Sequence, residues 1–293
     1  METGRPVGAH APTAGGIADK ALPYVDRTGA ECLQVFVSNP RGWALSAGDP
    51  EQEAAFVAGC RERGVVTYVH ATLLVNVGSP TQATVRNSTA SLRHALRRGA
   101  DLGAAGVVFH AGSAVEPDYH DAAMRQVRHV LLPLLDTAAE QGLPKLLVEP
   151  SAGGGRSLAA TVQALGPYFE AVGWHPRLGV CLDTCHAYAA GHDLATPGGM
   201  TATLDALVAT VGPGRLDLVH ANDSKHAVGS TRDRHENVGA GQIGLDAFGE
   251  LMTHPATRGV PVIVETPTDA AGTGHAADVA SLKRLRDHAL TPA

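Results

Sequence analysis

Residues 178–194 read LGVCLDTCHAYAAGHDL and combine a short apolar run with two side chains that commonly bind metals. The run ends on Asp183, and His186 follows three residues later. A buried strand that stops on a carboxylate and continues into an imidazole-bearing turn is how (β/α) barrels present metal ligands. Because an isolated Asp-x-x-His is more often a helix cap beside a surface histidine, the interpretation depends on whether other strands end in the same way.

Seven further apolar runs of this kind occur along the chain. The eight runs cover residues 6–10, 32–37, 66–70, 106–110, 145–149, 178–183, 216–220 and 261–265. They are rich in Val and Leu and apolar on both faces, as strands of a buried parallel sheet are. Helix-compatible stretches such as 49–64 and 91–104 separate them. Eight strand–helix units predict an α/β fold, a single (β/α)₈ TIM barrel over residues 1–293, with a frayed tail from about residue 288.

Most of these runs end on or beside a residue that can bind a metal, and only the second, which ends at Val37, does not. The carboxyl ends of barrel strands all converge on one face. To these residues we add His186 and two residues of the long polar loop after the seventh run, Asp233 and His235. The nine candidate ligands are His70, His110, Glu149, Asp183, His186, His220, Asp233, His235 and Glu265. His10 stays outside this set, either as an outer neighbour of the site or as a packing residue on the barrel floor.

Five imidazoles and four carboxylates are more donors than one ion can use. Three four-coordinate divalent sites would use them well if one carboxylate bridges two ions. The mixed nitrogen and oxygen donors favour Zn²⁺, with Mn²⁺ as the alternative at a site where carboxylates dominate. Without cations, the converging carboxylates would each raise the pKa of their neighbours. Divalent ions clustered in this way lower the pKa of water toward ~7, which suits hydrolysis of a phosphodiester at neutral pH.

The composition restricts the remaining function classes. The 293 residues carry 23 basic and 29 acidic side chains, a net charge of −6. That balance argues against a nucleic-acid binder that relies on bulk positive charge, but not against one that carries bound cations. The four cysteines form no disulfide framework, which indicates reduced thiols of a cytoplasmic protein. With neither a secretory leader nor an apolar run of about 18 residues, we expect no membrane association.

Seven motifs, spread in one order over nearly the whole chain, carry a further signal. They are VGAHAPTAGG (7–16), QVFVSNPRGW (34–43), VFHAGS (108–113), VEPSAGGG (148–155), CLDTCHAYAAGHD (181–193), HANDSKHAVGSTRDRHENVGAGQIG (220–244) and VIVETP (262–267). Together they resemble the endonuclease IV family of apurinic/apyrimidinic endonucleases. The resemblance implies a (β/α)₈ barrel that holds three Zn²⁺ ions at the C-terminal ends of its strands.

The resemblance also implies how the candidate ligands divide among the three ions. The first ion would be held by His70, His110 and Glu149. Glu149 would bridge to the second ion, which would also be held by Asp183, His220 and Glu265. The third ion would be held by His186, Asp233 and His235.

The activity that the resemblance implies is that of a DNA-repair endonuclease, a zinc-dependent phosphodiesterase of the deoxyribonuclease IV type. Its substrate would be double-stranded DNA with an abasic site, cut on the 5′ side to leave a 3′-hydroxyl and a 5′-deoxyribose phosphate. Glu149, as the bridging carboxylate, is the residue assigned to catalysis. We expect a monomer, because one face must accept a duplex. We expect no nucleotide cofactor, since GAGQIG (239–244) spells G-x-G-x-x-G but follows a polar loop instead of a strand.

Candidate DNA contacts lie in the predicted loops of the same face. They are Arg41, Trp43, Leu73, Asn76, Lys225 and Arg234, and the amides of the Gly-rich turn 151–155 form a further candidate phosphate site. The family usually has Tyr at the position of Leu73 and Asn at that of Pro150, and basic residues are common at the positions of Ala240 and Gln242. These departures concern DNA affinity and the geometry of nucleotide flipping, and none of them removes a ligand.

Two other functions remain open. A sugar isomerase or epimerase on the same barrel would need only four of the candidates around one or two ions: Glu149, Asp183, His220 and Glu265. It would leave the other five candidates without a role, and the metal content of the protein separates the two hypotheses. A catalytically silent binder of abasic DNA would bind zinc and DNA without cutting the duplex.

Overall fold

The computed structural model describes residues 4–290, which contain ten strands. In chain order these are β1 (Val7–His10), β2 (Cys32–Phe36), β3 (Val66–His70), β4 (Gly106–His110), β5 (Lys145–Glu149), β6 (Leu178–Asp183), β7 (Leu216–His220), β8 (Asp223–Ser224), β9 (His235–Glu236) and β10 (Val262–Val264). Strands β1 to β7 and β10 form a closed parallel barrel, in which β10 pairs with both β7 and β1. The predicted (β/α)₈ TIM barrel is confirmed, and each predicted strand agrees with the observed one to within a residue at either end.

Helices cover the outside of the barrel. They are α1 (Ile17–Thr28), α2 (Pro50–Arg63), α3 (Gln82–Asp101), α4 (His120–Glu140), α5 (Leu165–Ala171), α6 (Thr184–Ala189), α7 (Gly199–Val211), α8 (Leu245–Thr253) and α9 (Thr273–Leu290), with 3₁₀ turns at Pro117–Tyr119 and Pro255–Thr257. Local sequence sets the limits of α2: Asp49 accepts hydrogen bonds from the first amides of the helix, Pro50 takes its first position, and Gly64 ends it with a φ of 65°. No helix within residues 4–290 is long and apolar enough to cross a membrane.

Two predicted boundaries differ from the structure. The helix-compatible stretch 91–104 covers the second half of α3, which begins at Gln82 and ends at Asp101, so the prediction started too late and ran three residues too far. The expected frayed tail falls partly on residues 291–293, which lie outside the described residues, and α9 continues to Leu290.

An apolar layer fills the inside of the barrel. Its members come from seven of the eight barrel strands and are Cys32, Tyr68, Val108, Leu147, Cys181, Leu218 and Ile263. The eighth strand, β1, contributes Gly8, where an added Cβ would lie only 1.7 Å from the carbonyl oxygen of Cys32. The barrel is therefore a packed core and not a pore. This layer forms the floor beneath the polar residues at the C-terminal ends of the strands.

Candidate metal centre

A ring of eight side chains lies one inward-facing position above this apolar layer. Because successive residues of a strand point to opposite faces, the residue two positions after each layer member also points into the barrel. The eight ring residues are His10, Gln34, His70, His110, Glu149, Asp183, His220 and Glu265. Seven of them can bind a metal, which explains why the sequence placed so many such groups at strand ends.

The first cluster of donors surrounds one oxygen of Glu149, a side chain that is almost completely buried. Its Oε2 atom lies 3.2 Å from Nε2 of His70 and 3.6 Å from Nε2 of His110. Nδ1 of His70 donates a hydrogen bond of 2.7 Å to the carbonyl of Ala71. That bond places the proton on Nδ1 and leaves Nε2 available as a ligand.

The second cluster uses the other oxygen of Glu149. Its Oε1 atom lies 3.3 Å from Nδ1 of His220. The same nitrogen is 3.2 Å from Oε2 of Glu265 and 3.9 Å from Oδ2 of Asp183. The two oxygens of Glu149 thus face two different donor sets, as a bridging carboxylate requires.

The third cluster joins α6 to the β8–β9 hairpin. Oδ2 of Asp233 lies 3.2 Å from Nε2 of His186, and Oδ1 lies 3.1 Å from Nε2 of His235. Nε2 of His235 is buried yet makes no hydrogen bond to any described residue, although Asp183 is also only 3.5 Å away. Asp233 thus lies between the two imidazoles, and this mixed set of nitrogen and oxygen donors fits a zinc site.

Asp183 has two roles in this arrangement. It is the N-cap of α6, because its Oδ1 accepts a hydrogen bond of 2.9 Å from the amide of His186. Its Oδ2 faces His220 and His235 instead. The capping interpretation and the ligand interpretation of this Asp-x-x-His sequence are compatible, since each uses a different oxygen.

A buried carboxylate that the sequence analysis missed, Asp223, organises the long seventh loop. It accepts hydrogen bonds from five backbone amides, those of Ser224, Gly239, Gly241, Ile243 and Gly244. A Cβ at Gly241 would lie 2.4 Å from Oδ1 of this carboxylate, so glycine is required there. The GAGQIG loop therefore binds an internal anion in place of a phosphate, and its G-x-G-x-x-G spacing was the available signal.

Imidazoles lie beside Glu149, Glu265 and Asp233, and they determine the direction in which the pKa values of these three carboxylates shift. Burial alone would raise the pKa of Glu149, but His220, His186 and His70 outweigh it and hold the pKa well below its usual value. The pKa of Glu265 and that of Asp233 are also lowered, because neighbouring imidazoles again outweigh burial. For these three carboxylates the net shift of the pKa is therefore downward, because the imidazoles outweigh burial.

The pKa values of the imidazoles depend on burial and on the neighbouring carboxylates. Burial would lower the pKa of His235, but the carboxylates of Asp183 and Asp233 raise it to about 9. The pKa of His186 is raised for similar reasons. His110 is the opposite case, since burial dominates over Glu149 and lowers its pKa to about 4. Metal binding would displace protons chiefly from the imidazoles whose pKa is raised, His186 and His235.

His10 lies at the level of the ring and not on the barrel floor. Its Nδ1 atom is 3.0 Å from Oε1 of Glu265, and its ring contacts that of Phe36 with centroids 4.5 Å apart. Among the four free, buried cysteines, Cys181 and Cys185 have sulfur atoms beside the second and third clusters. His10, Cys181 and Cys185 thus lie beside the candidate ligands.

The candidate DNA contacts follow β2, β3 and β7, on the face that carries the clusters. Arg41, Leu73, Lys225 and Arg234 are exposed, and Trp43 is half-buried. The amide of Leu73 donates a hydrogen bond of 3.0 Å to the carbonyl of Pro40, which joins the loops after β2 and β3.

The structure also shows what some of the remaining loop residues do. Oδ1 of Asn76 accepts hydrogen bonds from the amides of Gly78 and Ser113, so this side chain organises two loops. The carbonyl of Pro150 lies 3.1 Å from Nδ1 of His186, and a backbone carbonyl is present whichever residue stands there. The departure at Pro150 therefore leaves this contact to the third cluster intact.

The chain is similar to known proteins along almost its whole length. Its sequence matches the xylose isomerase-like TIM barrel family over residues 22–287. A "Probable endonuclease 4" of Streptomyces avermitilis is 57% identical over 282 residues, which cover 96% of this chain and 90% of that protein. Endonuclease IV from Thermus thermophilus, a crystal structure, has a TM-score of 0.84 and 32% identity, and the match covers 97% of this chain and 99% of that one. A 3-keto-D-glucoside 4-epimerase from E. coli, with a TM-score of 0.70, 15% identity and coverage of 96% and 99%, shares the fold alone. On the first three of these matches, the chain belongs to the endonuclease IV family.

Proposed function

We propose that this protein is a DNA-repair endonuclease that hydrolyses the phosphodiester 5′ to an abasic site in duplex DNA. The products would be a 3′-hydroxyl and a 5′-deoxyribose phosphate. One observation carries the proposal: the two oxygens of the buried Glu149 face two separate donor sets, with a third set alongside. The relatives named endonuclease 4 and endonuclease IV support the same activity.

Nine side chains would hold three Zn²⁺ ions, with Mn²⁺ as an alternative at one site. The first ion would be held by His70, His110 and Glu149, the second by Glu149, Asp183, His220 and Glu265, and the third by His186, Asp233 and His235. When bound, such ions lower the pKa of water toward ~7 and neutralise charge that develops on phosphorus. Glu149 would set the separation of the first two donor sets, because its carboxylate is held between imidazoles of both.

The protein's own residues would bind and orient the DNA. The exposed guanidinium groups of Arg41 and Arg234 and the ammonium group of Lys225 would contact phosphates, which sets register without reading sequence. The exposed Leu73 and the half-buried Trp43 would pack against the bases around the lesion. Because an abasic nucleotide has no base to unpair, its extrusion costs little and gives selectivity. We also propose that the protein works as a monomer in the cytoplasm.

An isomerase or epimerase is the weaker candidate. The four residues that it needs are present, but five further donors converge beside them and would have no role. The sugar epimerase with a similar structure is too distant in sequence to support the activity. Zinc content separates the candidates: we expect about three ions per chain for the endonuclease and one or two for the isomerase.

The test is cleavage of an end-labelled duplex that carries one tetrahydrofuran abasic analogue. This analogue cannot undergo β-elimination, so a cut must be hydrolytic. We expect zinc-loaded protein to make a single 5′ incision, Glu149→Gln to lose it, and Glu31→Gln, at the opposite end of the barrel, to keep it. An uncut duplex with the zinc-loaded protein would rule out the proposal; tight binding without cutting would then support a silent binder, and sugar turnover would support the isomerase.

A further inference from the structure

Gln34 is the one member of the eight-residue ring that carries no ionisable group. It lies on β2, the strand whose end at Val37 provided no candidate ligand. Its side chain is completely buried and stands two positions after Cys32, as each ring residue follows its layer residue. An amide in this position has lost its contact with water, so its donors and acceptor must be satisfied within the ring.

All of its side-chain hydrogen bonds go to the ring. Oε1 of Gln34 accepts a hydrogen bond of 2.9 Å from Nε2 of His220. Nε2 of Gln34 donates a hydrogen bond of 2.7 Å to Oε1 of Glu265 and lies 3.0 Å from Nδ1 of His10. One neutral side chain thus contacts two of the donors of the second cluster from behind.

We propose that Gln34 is the positioning residue of the second metal site. By accepting the proton of Nε2, it selects the tautomer of His220 in which Nδ1 presents a lone pair to the cluster. By donating to Oε1 of Glu265, it leaves Oε2, which lies 3.2 Å from that Nδ1, to face the same position. This inference rests on the metal centre of the proposed function.

An amide side chain suits this role better than a carboxylate or an apolar side chain. Gln offers an acceptor and a donor on one planar group, so it serves an imidazole N–H and a carboxylate together. A carboxylate at the same position would repel Glu265, and an apolar side chain would remove the hydrogen bonds of Gln34 to both His220 and Glu265. If packing alone mattered, an apolar residue would fill this buried position, as in the layer below.

The first experiment compares Gln34→Met with the wild type and with Gln126→Met. Gln126 is a suitable control because its amide donates only to backbone carbonyls, those of Val77 and Ser79, away from the ring. Each protein is loaded with zinc and dialysed against a chelator of graded concentration, and the zinc per chain is measured. We expect one ion of Gln34→Met to bind about 10–100-fold more weakly while the other two are retained, and Gln126→Met to match the wild type.

Three outcomes of the zinc-retention experiment decide whether Gln34 positions the second metal site. Weaker binding of one ion in Gln34→Met alone supports the role of Gln34. Unchanged binding of all ions in Gln34→Met would overturn that role and leave the endonuclease proposal intact. A wild type that retains no zinc after loading would overturn the metal centre itself, and with it this inference.

A second measurement needs no variant and so does not depend on how Gln34→Met folds. In the zinc-loaded wild type, ¹⁵N spectra of the imidazoles report which nitrogen of each histidine carries a proton. We expect His220 to carry its proton on Nε2, protected from exchange by Gln34, with Nδ1 shifted by the bound ion. A proton on Nδ1 of His220 would contradict the proposal directly.

Discussion

The two ends of the barrel balance their charges in opposite ways. At the N-terminal end, Glu31 lies 2.6 Å from Nη1 of Arg286 and 3.0 Å from Nζ of Lys283, and it accepts a hydrogen bond from the amide of Val7. Lys145 and Asp217 form a second pair there at 2.7 Å. Here the chain supplies its own cations.

At the C-terminal end, the chain supplies almost none. Within residues 4–290, the four carboxylates of the clusters form ion pairs only with imidazoles. Imidazoles carry a charge only when protonated, and protonated imidazoles cannot bind metals. The N-terminal end thus pairs Glu31 and Asp217 with cations of the chain, whereas the C-terminal end would take its cations from outside if it holds the proposed metal ions. We therefore expect changes in the core and at the N-terminal end to affect stability, and changes at the C-terminal end to affect activity.

The largest effect should come from removing metal with a chelator. We expect cleavage of abasic DNA to fall by more than the ~10–100-fold that the loss of an outer partner of a ligand costs. The far-UV circular dichroism should persist, because the barrel core and its N-terminal end need no ion, while the Tm should fall by roughly 10 °C through lost binding energy. Unfolding of the metal-free chain at 25 °C would show that the two ends are not separable.

The next effect concerns the loop that carries Asp233 and His235. Asp223→Ala should leave five amides without their acceptor and release the GAGQIG loop. We expect loss of the third zinc and roughly 10–100-fold slower cleavage, as for other outer partners of ligands. The control is Asp246→Ala, an exposed carboxylate on α8. Full zinc content in Asp223→Ala would mean that the hairpin holds its geometry without this anchor.

A change in the apolar layer should affect stability alone. Leu147→Ala removes a fully buried side chain two positions before Glu149 on β5. We expect a loss of about 2–5 kcal/mol of unfolding free energy, measured with urea. The cleavage rate per folded molecule should stay unchanged, because the backbone of β5 holds Glu149. A large drop in that rate would instead mean that the layer positions the ring.

The smallest effect should come from the N-terminal end. Glu31→Gln should cost about 1 kcal/mol at pH 7, a modest value because the side chain is 36% exposed and screened by water. Burial alone would raise the pKa of Glu31, but Arg286, the amide of Val7 and Lys283 lower it below its usual value. A carboxyl with a lowered pKa stabilises the fold above the unfolded pKa of about 4.3, and this contribution is lost as the pH falls through the folded pKa.

The measurement for Glu31 is urea unfolding of metal-free wild type and Glu31→Gln at pH 7 and near pH 3. The difference between them should be present at pH 7 and shrink toward pH 3. Equal stability of the wild type and Glu31→Gln at both pH values would show that the ion pairs of Glu31 do not stabilise the N-terminal end.

The nine candidate ligands could be found in the sequence because each sits at a position that local pattern defines. His70, His110 and Glu149 end apolar runs. Because side chains alternate along a strand, each of them points into the barrel two residues after a member of the apolar layer. Asp233 and His235 were found by their two-residue spacing in a polar loop. Their division among three ions came from the family resemblance, since spacing along the chain says nothing about which strand ends are neighbours across the barrel.

Local sequence patterns therefore suffice to predict the eight strands, the barrel and the face on which the donors gather. The contacts that hold the donors at that face follow only from the three-dimensional fold. The use of both oxygens of Glu149, the anchoring of the GAGQIG loop by Asp223 and the contacts of Gln34 with His220 and Glu265 all depend on atoms that meet from distant parts of the chain. This is because hydrophobic alternation is a property of each strand's own sequence, whereas the partners of a buried polar group are set by the closure of the barrel.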